Sequence, residues 1–501
     1  MYNKSGSRFI MPILSGILLG IPFQFPELYF VNWIGLIPLL LVIKNQSVKG
    51  VFKSGVISGG VFFGFILYWL AYPQMIFDLP IILAIGTVVL LCSLLAFFIG
   101  IFSVAANYIL TNHRIWSFLL IPTAWTTLEY LRVLVTFKNL PFGIIGYSQA
   151  YLPLLIQIAD LVGVYGVTFL VILLNILIYK VILYLALENI LTKKEVIISC
   201  LILIITVGYG IVKLDINSPL NQKEKTLRLG MMQPNIRQKI KWNRNHQSKI
   251  IDKYIDLTEE LLTNKEIDLI IWPETAVPFI LNDGRLQQKK LFQKIDSWNL
   301  PLLTGALNQT NGIIYNQALL INYNLDIIDK YSKVKLVPFG EYLPYKDYFP
   351  KFIRGMINDK TPGTKLNNFN YQGINWSNPI CSEILNPDLV SKLAVNNHFL
   401  INISNEAWFK KSSGPIQTWQ STIFRAVENR KPVIKVSNTG ISGVINAQGR
   451  VVKQITPFQA KTFTYNLRIK EPEKTVYSRF GNYFIYLITL ISTGLLLMRY
   501  Y

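Results

Sequence analysis

Apolar positions run almost without interruption through the first part of the chain, and after Leu227 they break into short alternating pieces. A helix needs roughly 17 or more mostly apolar residues to cross about 30 Å of hydrocarbon. Eight stretches meet or approach that length: 9–25, 28–43, 56–76, 81–110, 115–131, 154–187, 196–212 and 483–498. The second is short, and the fourth and sixth are long enough to tilt or to carry re-entrant pieces. Lys4 and Arg8 ahead of the first stretch, with no cleavage pattern after it, fit a retained signal anchor.

Beyond Leu227 the periodicity is that of strands and amphipathic helices. "TLRLGMMQPNI" reads as a strand entering a loop, and "HQSKIIDKYIDLTEELL" as a helix with one apolar face. "IDLIIWPETAVP" reads as a buried strand ending at Pro273 with Glu274 at its tip. "LPLLTGALNQ" and "IYNQALLINYNLDIIDKY" continue the strands, and "HFLINISNEAWF" is a strand with its polar end exposed. "IQTWQSTIFRAVENRKP" is a helix stopped by Pro432, and "VIKVSNTGISGVINAQGRVV" is a hairpin turning at Gln448 and Gly449. Alternating strands and helices over such a span predict a layered α/β sandwich.

The organisation expected is therefore a membrane domain over residues 1–212, a linker at 213–226, an α/β domain at 227–478 and a final membrane helix at 479–501. Cationic loops stay cytoplasmic. Lys4 and Arg8, then Lys44, Lys49 and Lys53, then Arg114, then Lys193 and Lys194 occupy alternate loops, with Arg132 and Lys138 as exceptions. This places the N-terminus inside and, after seven crossings, the α/β domain outside.

Composition agrees: of 501 residues, 51% are hydrophobic and 15% charged, too apolar for an ordinary soluble protein. The net charge of +21 reads mainly as anchoring and solubility, and also suits a surface held against anionic lipid. No basic helix or aromatic strand points to nucleic acid.

The usual hydrolase signatures are absent: no G-x-S-x-G, no H-E-x-x-H, no C-x-x-C. Of the three histidines His113 reads as lying in a cytoplasmic loop, and His246 and His398 have no motif around them and read as ordinary surface or loop residues. A cysteine can still act as a nucleophile when a carboxylate takes its proton and a cation stabilises the developing charge. "WPETAVPF" with Glu274, "YSKVKLVPFGEYLP" with Lys333, Lys335 and Glu341, and "PICSEI" with Cys381 supply those types beside apolar neighbours, where burial shifts pKa values. Each alone has an ordinary explanation: a buried cysteine as a small hydrophobe, a glutamate as a loop cap, a lysine as a solvated strand end.

Together, "WPETAVPF", "YSKVKLVPFGEYLP" and "ICSEI" followed by "NISNEAWF" resemble the Glu, Lys and Cys blocks of the carbon-nitrogen hydrolase (nitrilase) superfamily. "LVPFGEYLP" beside membrane helices resembles the apolipoprotein N-acyltransferases in particular. So do "LEYLR", "GYSQA", "DLVGVYGVTFL", "MMQPNI" and "GPIQTWQSTIFRAVENRKP". The resemblance implies about eight transmembrane helices plus an extracytoplasmic nitrilase-like αββα sandwich. It implies Glu274 as general base, Cys381 as nucleophile and, eight residues before Glu341, Lys333 as the catalytic lysine. It also implies supporting roles for Glu341 and Glu383, and a lid role for Trp242 in "IKWN". Ser382 departs from the family's usual Tyr after the nucleophile, and Glu406 stands where an aspartate is more usual.

The implied reaction moves an acyl chain from a membrane phospholipid, through a cysteine thioester, to the α-amino group of an S-diacylglyceryl cysteine at a lipoprotein N-terminus. It needs no cofactor or metal. The implied setting is the bacterial inner membrane, with the catalytic domain on the periplasmic side. Cys381, the only cysteine after Lys213, would then stay unpaired because a disulfide would remove the nucleophile. Two other readings remain: a membrane-tethered amidase or nitrilase that passes the acyl group to water, and a lipid-binding or transport scaffold with a degenerate nitrilase domain, for which acidic residues buried in the helices would speak; Glu129 and Asp160 are the only acidic candidates, and both read as near the outer interface.

Overall fold

The computed structural model describes residues 6–44, 46–76, 79–136, 141–186, 191–215, 225–263, 266–281, 286–348, 354 and 359–497. Lys4, Lys138, Met498 and most of the 213–226 linker lie outside the described residues. The chain forms two compact units: residues 1–75, 79–217 and 475–501 in one, and 76–78 and 218–474 in the other.

The first unit is helical. Among the described residues six helical segments are long and apolar enough to cross a membrane, Pro26–Ile43, Val48–Ile76, Ile81–Asn112, Ser117–Val135, Ala159–Leu185 and Lys193–Asp215. Arg8–Phe23 and Tyr483–Leu497 are shorter apolar helices. All eight expected stretches thus carry helix, with several differences in their bounds. The third begins at Val48 rather than Val56, because Ser47 caps it by accepting from the Gly50 N–H. Lys49 and Lys53 consequently sit on that helix and not in a loop; both are exposed, on a first turn and a half that an apolar count misses. Arg132 is likewise inside a helix and buried, not in a loop. His113 is buried at the end of Ile81–Asn112.

The 154–187 stretch divides into Pro153–Ile156 and Ala159–Leu185, and Gly163 inside the latter has φ 67°. Glycine is required there twice over: the backbone is left-handed, and a Cβ would lie 2.5 Å from the Tyr477 ring. Glu129 and Asp160 are both buried and both partnered. Glu129 accepts from Trp125 Nε1, the Ile145 N–H and Thr168 Oγ1, and Asp160 accepts from the Tyr209 hydroxyl.

The second unit contains two mixed sheets. One has the order β13-β1-β2-β4-β5-β6, with β3 paired to β4, from β1 (Thr226–Gln233), β2 (Leu269–Ile271), β3 (Ile280–Leu281), β4 (Leu302–Thr310), β5 (Ile313–Ile321), β6 (Ile327–Ser332) and β13 (Lys461–Arg468). The other has the order β12-β11-β10-β9-β8-β7, from β7 (Phe369–Tyr371), β8 (Ile374–Ser377), β9 (Phe399–Ser404), β10 (Val433–Ser437), β11 (Ser442–Ile445) and β12 (Val451–Ile455). The predicted hairpin is therefore a three-stranded meander, β10 to β12, with its second turn at Asn446–Arg450.

Period-two alternation sorts the side chains into layers. Leu227, Leu229, Met231, Leu269, Ile271, Leu303, Ala318 and Leu320 face Trp376, Ile401, Ile403, Ile434 and Val436 between the sheets. Met232, Ile270, Leu302, Leu319 and Ile321 face the other way, onto the helices Gln247–Leu262 and Leu286–Trp298. The helix Gly414–Asn429 covers the second sheet's outer face, where the Thr418 hydroxyl and Lys435 Nζ are 3.1 Å apart. The result is the expected αββα sandwich, and both faces of the central strands are buried, hence runs such as "LII".

Candidate active site

Strands β1, β2 and β4 run parallel, as do β8, β9 and β10. In such sheets functional groups gather beyond the carboxyl ends of the strands. Glu274 follows β2, Cys381 follows β8, and Asn405 and Glu406 follow β9. Lys333 leaves β6 in the inward phase set by Tyr331, whereas Lys335 is exposed. The two lysines share one parity, and it is the end of β6 at Ser332 that frees Lys335 to turn outward while Lys333 stays buried.

Lys333 is 1% exposed, with Nζ 2.8 Å from Glu341 Oε2 and 3.4 Å from Glu274 Oε1. Asn316 Nδ2 donates to both carboxylates, at 2.8 Å to Glu274 and 2.9 Å to Glu341. Glu341 also accepts from the Val337 N–H, and Lys360 Nζ lies 3.4 Å from its other oxygen. Burial opposes the Lys333 charge, but Glu341 and Glu274 outweigh it and hold the ammonium above the usual lysine range. Burial opposes the Glu341 charge as well, yet Lys333 and Lys360 hold that carboxyl below its usual range.

Cys381 is partly buried and has φ 51°, a left-handed conformation that costs a non-glycine residue about 1–3 kcal/mol. Asn402 Nδ2 donates to the Cys381 carbonyl, and the Asn405 N–H bonds the thiol. Burial pushes the thiol up, the Glu274 carboxylate adds to that, and Lys333 pulls it back. A resting thiol beside a carboxylate, with ammonium groups near, suits proton removal in step with attack.

Glu383 joins the two sides. One of its oxygens accepts from the Val334 and Lys335 N–H groups just after Lys333, the other accepts from Ile380 N–H just before Cys381, and the Tyr331 hydroxyl donates to the pair. Burial raises its carboxyl to about 7. The structure thus gathers Glu274, Lys333, Glu341, Cys381 and Glu383. Trp242, 39% exposed, stands at the end of the short helix Gln238–Lys241. His398 is engaged with the backbone of Asn375.

The end of β9 is not exposed as expected: Ser404, Asn405 and Glu406 are buried, and Glu406 Oε1 pairs with Lys435 Nζ at 2.5 Å and accepts from Thr418 at 2.7 Å. Sequence reasoning also passed over Asn316, Lys241 and Lys360. Asn316 carried a usable signal, since it shares the inward phase of Ala318 and Leu320 on β5. Lys241 is fully buried beside Glu274 and signalled itself only by standing next to Trp242.

The family model for the apolipoprotein N-acyltransferase N-terminal domain matches residues 15–177, and that for carbon-nitrogen hydrolase matches residues 228–475. The apolipoprotein N-acyltransferase of Geobacter metallireducens is 31% identical over 493 residues, covering 95% of this chain and 92% of its own. The chain belongs to the apolipoprotein N-acyltransferase family. The apolipoprotein N-acyltransferase of Rickettsia prowazekii is also 31% identical, over 96% of each chain. Nit3 of Saccharomyces cerevisiae, a nitrilase-superfamily structure, superposes on 49% of this chain and 90% of its own with a TM-score of 0.38 at 17% identity. Family and apolar helices together make this a multi-pass membrane enzyme.

Proposed function

We propose that Cys381 carries the acyl group as a thioester, with Glu274 as its base and Lys333 as the cation facing the oxyanion. The observation that carries this is the buried cluster of Lys333, Glu274, Glu341 and Asn316 beside a cysteine held in a left-handed turn. The acyl donor is a membrane phospholipid and the acceptor a diacylglyceryl lipoprotein. The site works on the periplasmic side of the inner membrane, the placement that the lysine-bearing segments favour.

In the first half-reaction Glu274 takes the thiol proton while sulfur attacks the ester carbonyl. The tetrahedral oxygen is stabilised by Lys333 and backbone N–H groups near Cys381; one such donor contributes about 3–4 kcal/mol. Collapse breaks the ester C–O bond, the leaving alkoxide takes the proton from Glu274, and lysophospholipid departs. In the second, the neutral α-amine of the lipoprotein cysteine attacks the thioester, and Glu274 accepts the amine proton. The C–S bond breaks, and the proton returns to sulfur as the amide forms. Each substrate reacts in turn through one covalent intermediate.

The test is intact-mass analysis of the purified full chain after incubation with phospholipid, comparing wild type with Cys381→Ala. The expected result is a hydroxylamine-sensitive gain of one acyl group in wild type alone, discharged by a diacylglyceryl peptide to an N-acyl product. Absence of the adduct together with absence of turnover would overturn the mechanism, and free fatty acid in place of N-acyl peptide would make the chain a hydrolase.

A further inference from the structure

A second lysine is buried against the proposed catalytic base. Lys241 is 0% exposed, and its Nζ donates to Thr275 Oγ1 at 2.7 Å and to the Glu274 main-chain carbonyl at 3.2 Å. The turn it grips is unusual in two ways. Thr275 has φ 46°, a left-handed conformation that needs outside restraint in a β-branched residue. The same turn lies directly on the β4 backbone at Gly305, whose N–H donates to the Pro273 carbonyl.

The short helix that carries Lys241 has a second attachment on the nucleophile's side. Gln238 Oε1 accepts from Asn405 Nδ2 at 2.9 Å, and the Asn405 N–H is the one that bonds the Cys381 thiol. Asn438 fastens the same segment from behind, accepting from the Ile236 N–H and donating to the Ile236 carbonyl and to Asn405 Oδ1. Four residues, Gln238 to Lys241, therefore strap the base-bearing turn to the loop behind the thiol, and Trp242 follows immediately.

Among the described residues Lys241 has no carboxylate within ion-pair distance, unlike Lys333, which rests against two. Burial draws its ammonium down to about 7, so near neutral pH it holds the turn by hydrogen bonds more than by charge.

We propose that Lys241 is a positioning residue of this active site, fixing the Glu274 turn through the Thr275 hydroxyl and the Glu274 carbonyl. This rests on the assignment of Glu274 and Cys381 made above. A merely structural lysine would affect folding and leave the acylation rate of the folded protein unmoved. A positioning lysine changes that rate, because a displacement of about 1 Å in a reacting group can cost 100-fold.

The experiment follows the rate of acyl-adduct formation from phospholipid in the full chain in detergent, with Cys381 alkylation by iodoacetamide, read by peptide mass, as the measure of thiol access and the melting temperature as the measure of folding. Wild type, Lys241→Met, Thr275→Val and Thr275→Ser are compared. Folded Lys241→Met should acylate roughly tenfold more slowly or worse while its thiol is alkylated as in wild type. Thr275→Val, which keeps the lysine and removes its hydroxyl partner, should also slow acylation. Thr275→Ser, which keeps the hydroxyl, should restore the rate.

A wild-type acylation rate in folded Lys241→Met overturns the proposal. Should Lys241→Met fail to fold, Thr275→Val and Thr275→Ser decide: a wild-type rate in Thr275→Val, or a Thr275→Ser as slow as Thr275→Val, overturns it. Failure of the underlying assignment looks different: wild type itself would then form no adduct at Cys381.

Discussion

Lys333→Met tests the charge arrangement most directly, because methionine matches the volume of the lysine stem and removes only the ammonium. In the wild type that ammonium lies 2.8 Å from one Glu341 oxygen and 3.4 Å from a Glu274 oxygen, and all three side chains are at most 8% exposed. At an effective dielectric near 20, each contact is worth roughly 5–6 kcal/mol before desolvation. Removing one member of a buried pair leaves the other uncompensated, with a net cost of about 3–5 kcal/mol. Lys333→Met should therefore lower the melting temperature at neutral pH and cut the acylation rate about 100- to 1,000-fold.

The double variant Lys333→Met with Glu341→Gln discriminates further, since it removes one charge of each sign. It should recover most of the lost stability and none of the activity. The pH dependence has a definite sign. Glu341 has a folded pKa below its ordinary 4.5, so its share of stability is present above that value and disappears as pH falls through the depressed one. Lys333 has a folded pKa above its ordinary 10.5, so its share is present below that value and lost as pH rises through the raised one. The gap in melting temperature between wild type and Lys333→Met should thus be widest from about 4.5 to 10.5 and narrow outside that window. Differential scanning fluorimetry across pH measures the gap, and intact mass measures the adduct. A Lys333→Met protein that melts and acylates like wild type would refute the arrangement.

Two further changes test the scaffold. In Gly305→Ala the new Cβ would lie 2.5 Å from Thr275 N and 2.6 Å from Glu274 Cα, so the base-bearing turn must move; a displacement of about 1 Å can cost 100-fold in rate, and an acylation rate equal to wild type would count against the close packing. In the membrane unit Lys180 and Glu195 form an ion pair with both side chains 2% exposed. Glu195→Ala should destabilise the full chain by about 3–5 kcal/mol in a detergent melt, with Lys180→Met in the same chain restoring much of the loss, and an unaltered melt would contradict it.

The membrane helices and the carboxylates of the candidate site were legible in the sequence for different reasons. A membrane span is a local property, a run of apolar residues long enough for the bilayer, so all eight stretches could be located before any tertiary contact was known. Their starts were less legible, because caps such as Ser47 and exposed residues such as Lys53 extend a helix past its apolar run. Glu274, Lys333, Glu341, Cys381 and Glu383 each stand in a short block with a family resemblance, and the sandwich brings those blocks together.

Other members of the site belong to no such block. Asn316 reaches Glu274 and Glu341 only because β5 lies between β4 and β6, and Lys241 reaches Thr275 across 34 positions of sequence. Glu406 reads as a solvated strand end until β10 brings Lys435 beside it. Local pattern determines where helices and strands form and which chemical types the chain carries. Strand order and layer packing decide which of those charges meet out of water, and hence which lysine is bound between two carboxylates and which hydrogen-bonds the turn beside Glu274.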